Sequence, residues 1–198
     1  MIAALQRALA LTSPAELLAV LLGVVYVLLI LKRSRLGWIA GGLSSSIYVY
    51  LAARALLPMQ SALQAYYVVM SFYGWFSWTG ARRGERPRIT RWPGRYHLVA
   101  LASALLLSVV SAHWLARETH AAWPHLDSFT TWISLLATWM TARMMLENWL
   151  YWMVADAIMA FLFAAQGYPA STVLFLTYLT IAVIGFRAWL HQYRQQAR

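Results

Sequence analysis

Asp156 is the costliest residue in this sequence, because it lies midway along an apolar run that begins near Trp149. A carboxylate at the centre of a membrane-spanning helix costs about 2.5–3.5 kcal/mol to insert, so the side chain must face protein or a wet cavity rather than lipid. Trp149, Trp152 and Asp156 follow i, i+3, i+7 and share one helical face. On that face the carboxylate is either a ligand group or an acceptor for neighbouring hydroxyls, and Trp149 either a stacking platform or part of an interfacial belt. Gln60, Gln64, Tyr67, Ser71 and Trp78 form a second polar stripe. Gln64 is its informative member, since a carboxamide is costly to bury and offers both donor and acceptor to a polar heterocycle. A third stripe is Thr131, Ser134, Thr138 and Thr141. Hydroxyl stripes join membrane helices at about 0.6 kcal/mol per bond, so this one is expected to be packing. A carboxylate, indole faces, amides and the tyrosines Tyr67 and Tyr178 together describe a box for a flat, polar, positively charged ring held by stacking and cation–π attraction.

The same inventory excludes other chemistry. No Lys or Arg falls in a helix centre to meet a phosphate, and no GxxxxGK loop is present for a nucleotide. Cysteine is absent, which removes disulfides and thiolate chemistry. His97, His113, His120, His125 and His191 fall at helix ends or outside them with no zinc spacing. There is no HExxH, and Asp156 has no second central carboxylate as a catalytic partner. No catalytic residue, metal or cofactor is therefore expected. Passive carriage of a small solute leads, ahead of proton-coupled transport through Asp156 and of an intramembrane enzyme or receptor subunit.

Side chains of this kind need helices to hold them. With 62% hydrophobic and 11% charged residues in 198 positions, water is not the main solvent of this chain. A bilayer admits only helices or closed barrels, because unpaired backbone groups cannot be solvated there, and these long apolar runs lack strand-like alternation. The pattern predicts an all-α integral membrane protein with helices at about 17–31, 36–57, 60–78, 96–115, 129–146, 149–165 and 170–190. Pro14 is suited to an opening turn and draws the first start earlier. Residues 2–11 read as a short interfacial helix or a fraying end, with no removable signal peptide.

The connection from Thr79 to Arg95 carries Arg82, Arg83, Arg86, Arg88, Arg91 and Arg95 against Glu85. The net charge of +10 could suggest nucleic acid, but its placement is a topology signal. With the N-terminus outside and the C-terminus inside, 13 of the 16 basic residues face the cytoplasm, leaving Arg7, Arg54 and Arg117 outside. The partners expected are therefore the lipid bilayer and a small solute, with no nucleic acid.

Trp38 and Trp149 stand 111 residues apart, and the same offset joins Pro58 to Pro169, Tyr67 to Tyr178, Gly74 to Gly185 and Trp78 to Trp189 without a gap. It also pairs Glu16 with Asp127 and Lys32 with Arg143. Chance alignment of apolar helices matches Leu and Ala, not Trp, Pro, Gly and charge in register. The chain thus reads as a single transmembrane domain over 1–198, with one repeat at about 16–80, a connecting helix at about 96–115 and a second repeat at about 127–191. Three helices per repeat and one between them give a 3+1+3 parallel-repeat, SWEET-like architecture with the substrate near the midplane.

Asp127-Ser128, Arg143, Glu147-Asn148-Trp149-Leu150-Tyr151-Trp152, Asp156, Gln166-Gly167, Gly185 and Trp189 resemble the PnuC family of bacterial vitamin transporters. Leu63-Gln64, Tyr73-Gly74-Trp75 and Trp78 resemble its first repeat, so the similarity spans nearly the whole chain. The resemblance implies a multi-pass, homotrimeric carrier in the bacterial inner membrane for unphosphorylated nicotinamide riboside, thiamine or riboflavin, working by facilitated diffusion. It also implies that Gln64, Trp152, Asp156 and Gln166 line the substrate site. Many nicotinamide riboside carriers of this family have asparagine where this chain has Asp156. A carboxylate accepts but cannot donate to a carboxamide carbonyl, so thiamine stands beside nicotinamide riboside as a candidate cargo.

With no native thiol to compete, Gly84→Cys in intact cells is expected to be protected from a membrane-impermeant thiol reagent. Ready labelling there would reverse the orientation.

Overall fold

The computed structural model describes residues 13–54, 58–79, 88–118 and 123–196. The segment at 2–11 and the arginines Arg82, Arg83 and Arg86 lie outside these. Among the described residues there are seven helices: α1 (Pro14–Leu31), α2 (Leu36–Arg54), α3 (Pro58–Ser77), α4 (Gly94–Glu118), α5 (Pro124–Ala142), α6 (Asn148–Ala165) and α7 (Pro169–Gln196). Local chemistry explains where they start. The Ser13 side chain accepts from the Glu16 N–H at 3.2 Å, and Pro14 fills the first turn, where its missing N–H is no loss. α5 begins at Pro124 rather than near 129, again with proline in the opening turn and with Asp127 placed favourably near the helix N-terminus.

α1, α2 and α3 pack in sequence as one unit, and α5, α6 and α7 as another; α3 meets α5 and α1 meets α7 between the units, while α4 packs mainly on α5 and touches α6 through His97 and Tyr151. Five helices, α1, α2, α4, α6 and α7, are long and apolar enough to cross a bilayer. The other two, α3 and α5, are those carrying the glutamine and hydroxyl stripes.

Backbone detail recurs at the 111-residue offset. The turns after α1 and α5 each pass through a residue with positive φ, Arg33 at 54° and Met144 at 55°. Matching bonds flank them: Lys32 N–H to Leu28 O and Arg143 N–H to Trp139 O before, Ser34 N–H to Leu29 O and Met145 N–H to Met140 O after. Trp38 meets Trp78 edge-on with ring centroids 5.5 Å apart, and Trp149 meets Trp189 in the same way at 5.5 Å. The glycines allow these contacts. A Cβ at Gly74 would enter the Trp38 ring, and one at Gly185 would lie 2.7 Å from Trp149 ring atoms.

The outer indoles of these pairs tie the units together. Trp78 Nε1 donates to Ala142 O at 3.0 Å, and Trp189 Nε1 donates to Leu31 O at 3.1 Å. Both acceptors are last residues of helices, whose carbonyls have no partner within the helix. Each unit thereby closes the helix end of the other.

One further tie has no counterpart among the described residues of the first unit. Residues 88–93 run beneath the α5–α6 turn, where Thr90 N–H donates to Met144 O and Leu146 N–H to Thr90 O, both at 2.9 Å. Arg91 Nε reaches Glu147 Oε1 at 2.7 Å, the single ion pair among the described residues, and this hydrogen bond and charge push the guanidinium further above its usual range. Ile89 is buried beside them and its N–H donates to Gln196 Oε1 at 3.1 Å.

Gly185→Ala is expected to destabilise the protein by about 1–3 kcal/mol, because a rigid indole occupies the space of the new methyl. Gly94→Ala, with nothing within 4 Å, is the control and should leave the melting temperature of the solubilised protein nearly unchanged.

Candidate functional site

A cavity of about 610 Å³ lies between the two units, lined by residues of every helix except α4. This is within the usual range for a small-molecule site of about 300–1,000 Å³. One end is reached through Gln60 and Asp127, both exposed. The other end is shut by the buried side chains of Ile30, Trp38, Thr141, Asn148 and Trp149, directly above the crossed tryptophan bonds.

Of the residues singled out in the sequence, Gln64 and Tyr67 from α3, Trp149, Trp152 and Asp156 from α6, and Tyr178 from α7 all line this cavity. Gln166 does not. It is the exposed cap residue of α6, and its carboxamide turns back to donate to Leu162 O at 3.1 Å. The Gln166 backbone N–H donates to the same carbonyl at 3.1 Å, so main chain and side chain together close the last turn of α6.

Asp156 is 5% exposed, and no donor among the described residues hydrogen-bonds its carboxyl group. The Tyr67 and Tyr178 phenols are within its electrostatic reach. Trp152 Nε1 donates to Thr141 Oγ1 at 3.3 Å, which holds its ring against the cavity. Thr141 is in turn 3.1 Å from Asn148 Oδ1, and the Asn148 amide donates to Met145 O at 2.6 Å. Trp149, at the closed end, has an indole N–H with no partner among the described residues, as does Trp38.

The hydroxyl stripe of α5 departs from its expected role. Thr131, Ser134, Thr138 and Thr141 line the cavity instead of serving only as glue against another helix. The bonds that join α3 to α5 run elsewhere, from the Tyr66 phenol to Leu135 O at 2.9 Å and from Ser77 and Trp78 to Ala142 O. The cavity is therefore two-sided. Its α3–α5 wall carries Gln60, Gln64 and the hydroxyls, whereas α1 and α7 contribute the apolar Val27, Ile30, Leu174, Phe175 and Ala182 together with Tyr26, Ser171 and Tyr178.

Sequence reasoning missed Tyr26, Ser44, Ser45 and Tyr48, which also line the cavity. The repeat offset was the signal that could have found Ser45, since it stands where Asp156 stands in the second unit. Gly41 likewise stands where Trp152 does, and a Cβ there would be 2.7 Å from the Tyr26 ring. The first unit thus fills from α1 a space that the second fills from α6, opposite the small Ala137.

No Lys or Arg occurs among the described lining residues, while two carboxylates, Asp127 and Asp156, do. Such a surface suits neutral or cationic ligands that bring hydrogen-bond donors, and it offers a phosphate no cation to pair with.

Residues 13–191 match the profile of the nicotinamide mononucleotide transporter family. The riboflavin/roseoflavin transporter RibM of Streptomyces davaonensis is 25% identical over 184 residues, covering 90% of this chain and 85% of that protein. The nicotinamide riboside transporter PnuC of Escherichia coli is 26% identical over 160 residues, covering 68% of this chain and 67% of that protein. Among solved structures, that of a vitamin B3 transporter PnuC superposes with a TM-score of 0.74 at 21% identity, over 91% of this chain and 82% of the other, which is a likeness of fold. These relatives are transporters rather than enzymes. With the profile spanning nearly the whole sequence, the chain belongs to the nicotinamide mononucleotide transporter family, the family of PnuC, and is a membrane transporter of vitamin type.

Proposed function

We propose that this protein carries an unphosphorylated vitamin across the bacterial inner membrane by facilitated diffusion with alternating access, and that nicotinamide riboside is its cargo. The observation that carries this reading is a cavity open at one end, closed at the other by bonds between the two units, and lined by carboxylates without a cation. A carrier must open one end of such a site while shutting the other. The lining also favours the riboside over the phosphorylated mononucleotide, whose anionic group would meet no Lys or Arg among the described lining residues.

Riboflavin is the second reading, favoured by a similarity to RibM that covers most of both chains. Thiamine, which Asp156 admits on charge alone, is the cargo of none of these relatives. Gln64, Tyr67, Trp149, Trp152, Asp156 and Tyr178 form the proposed substrate site, with Gln166 outside it. The architecture proposed is seven spans in a 3+1+3 arrangement of parallel repeats, N-terminus outside, supported by the recurrent turns and by the distribution of basic residues. In that orientation the open end faces outward. The assembly proposed is a homotrimer. α4, which packs on the second unit only, presents the exposed apolar residues Leu98, Leu106 and Val110 to lipid or to a neighbouring copy.

Proteoliposomes loaded with nicotinamide riboside are expected to exchange it with labelled substrate in the absence of any proton gradient or nucleotide. Nicotinamide mononucleotide should not compete. Strict dependence on an inward proton gradient would instead make Asp156 a proton site, and exchange of riboflavin alone would transfer the assignment to the second reading. Trp152→Ala should weaken substrate binding about threefold to thirtyfold through lost stacking and cation–π attraction, measured by titration of the purified protein.

A further inference from the structure

A smaller hollow of about 220 Å³ lies on the exposed side of the α2–α3 pair. Ile39 and Leu43 of α2 and Val68, Phe72 and Trp75 of α3 line it. Gly42 brings the two helices close at its base, where an added Cβ would lie 3.2 Å from the Ser71 Cβ. Ile39, Leu43 and Phe72 are exposed, so the groove opens on a face that the bilayer covers. Its two hydroxyls are bonded within their own helices: Ser46 Oγ donates to Gly42 O at 2.7 Å, and Ser71 Oγ to Tyr67 O at 2.8 Å. With those protons committed and no charged residue in the lining, the groove presents hydrocarbon to its occupant.

A cation stands at one end of this groove. Arg35, exposed in the turn before α2, holds its guanidinium 4.7 Å over the Trp75 ring, and no carboxylate pairs with it among the described residues. The indole face positions the guanidinium and leaves the N–H donors at its edge for an anion. From Leu36 to Ser46, α2 rises about 15 Å along its axis, the depth of one leaflet of a hydrocarbon core roughly 30 Å thick. The second unit repeats neither feature. At the 111-residue offset Met153, packed against the core, replaces Gly42, and the buried Leu146 replaces Arg35. We infer that the α2–α3 groove is a binding site for an anionic phospholipid, whose acyl chain lies between Leu43 and Phe72 while its phosphate pairs with Arg35. In the orientation proposed above, this is a lipid of the cytoplasmic leaflet, where anionic headgroups attract basic residues. The bound chain backs Trp38, which lines both the groove and the closed end of the central cavity. The site is separate from vitamin binding and holds whichever vitamin is carried.

The test titrates full-length, delipidated protein in detergent with phosphatidylglycerol and with phosphatidylcholine of the same acyl chains, counting bound lipid by native mass spectrometry. Wild type should retain phosphatidylglycerol in preference. Arg35→Gln should weaken phosphatidylglycerol about fivefold and abolish the preference, whereas Arg54→Gln, at the other end of α2, should change neither. Ser46→Phe fills the groove and should weaken both lipids. Arg35 is exposed, so its variant keeps the comparison decisive even where Ser46→Phe fails to fold. Equal retention of the two lipids by wild type would overturn the inference. So would Arg35→Gln that binds phosphatidylglycerol as wild type does, or equal losses in Arg35→Gln and Arg54→Gln, which would reduce the effect to general surface charge. Displacement of the lipid by glycerol 3-phosphate alone would leave the groove without a role and overturn it as well. Ser46→Phe that lowers the oligomeric mass with the lipid count per chain unchanged would assign the groove to a second copy of the chain instead.

Discussion

Two indole N–H groups cross between the three-helix units, and the rest of the molecule is arranged around them. Trp78 closes the last carbonyl of α5 and Trp189 closes the last carbonyl of α1. In hydrocarbon or at its edge an unpaired backbone carbonyl costs several kcal/mol, so a helix end satisfied by the opposite unit makes each unit incomplete alone. The same indoles form the outer members of the Trp38–Trp78 and Trp149–Trp189 pairs, seated over Gly74 and Gly185. Backbone, ring packing and inter-unit bonding are thus combined at one level of the structure, which is also the floor of the cavity. Opening the cavity toward that end must break both crossed bonds, and this links access at one end to the integrity of the interface.

The two units are bonded unequally above that level. The α3–α5 seam has an additional bond at mid-depth, Tyr66 to Leu135 O, and the 88–93 segment secures the α5–α6 turn through Thr90 and the Arg91–Glu147 pair. No counterpart of that segment lies under the α1–α2 turn among the described residues. The second unit and its α3 contact are therefore the braced part of the protein, and α1 along α7 is the seam with fewer bonds to break. Repetition with unequal bracing leaves the two seams between the units bonded to different extents.

Polarity is distributed with the same economy. A membrane protein that binds a polar solute must place polar groups at a depth where lipid would reject them, and here α3 and α5 carry stripes of them that other helices supplement with Asp156, Ser44, Ser45 and Tyr178. α3 and α5 adjoin each other, so their stripes make one continuous wall. Hydroxyls on α5 bond to their own helix, and this lowers the cost of their burial while leaving acceptors for a ligand.

Much of this was legible in the chain itself, and for a definite reason. Helix positions, the repeat at 111 residues and the oddity of Asp156 all follow from rules that act locally or by identity: apolar runs, proline at helix starts, and Trp, Gly and charge recurring in register. Gln64 and Asp156 could be singled out because each is expensive in a membrane wherever it points, and Trp152 because it shares a helical face with Asp156. Orientation around the helix axis is another matter, because a helix rich in small and hydroxylated residues has no single face that the sequence marks as inward. That is why the Thr131–Thr141 stripe read as packing and lies on the cavity, and why Gln166 read as a site residue and caps its own helix. The exchange of Tyr26 over Gly41 for Trp152 over Ala137 was equally hidden, since each half of it is an ordinary apolar residue until the two units are superposed. What only the tertiary structure decided is which side chains share a space, because contact between helices distant in sequence depends on their rotation and depth, and neither leaves a periodic trace in the chain.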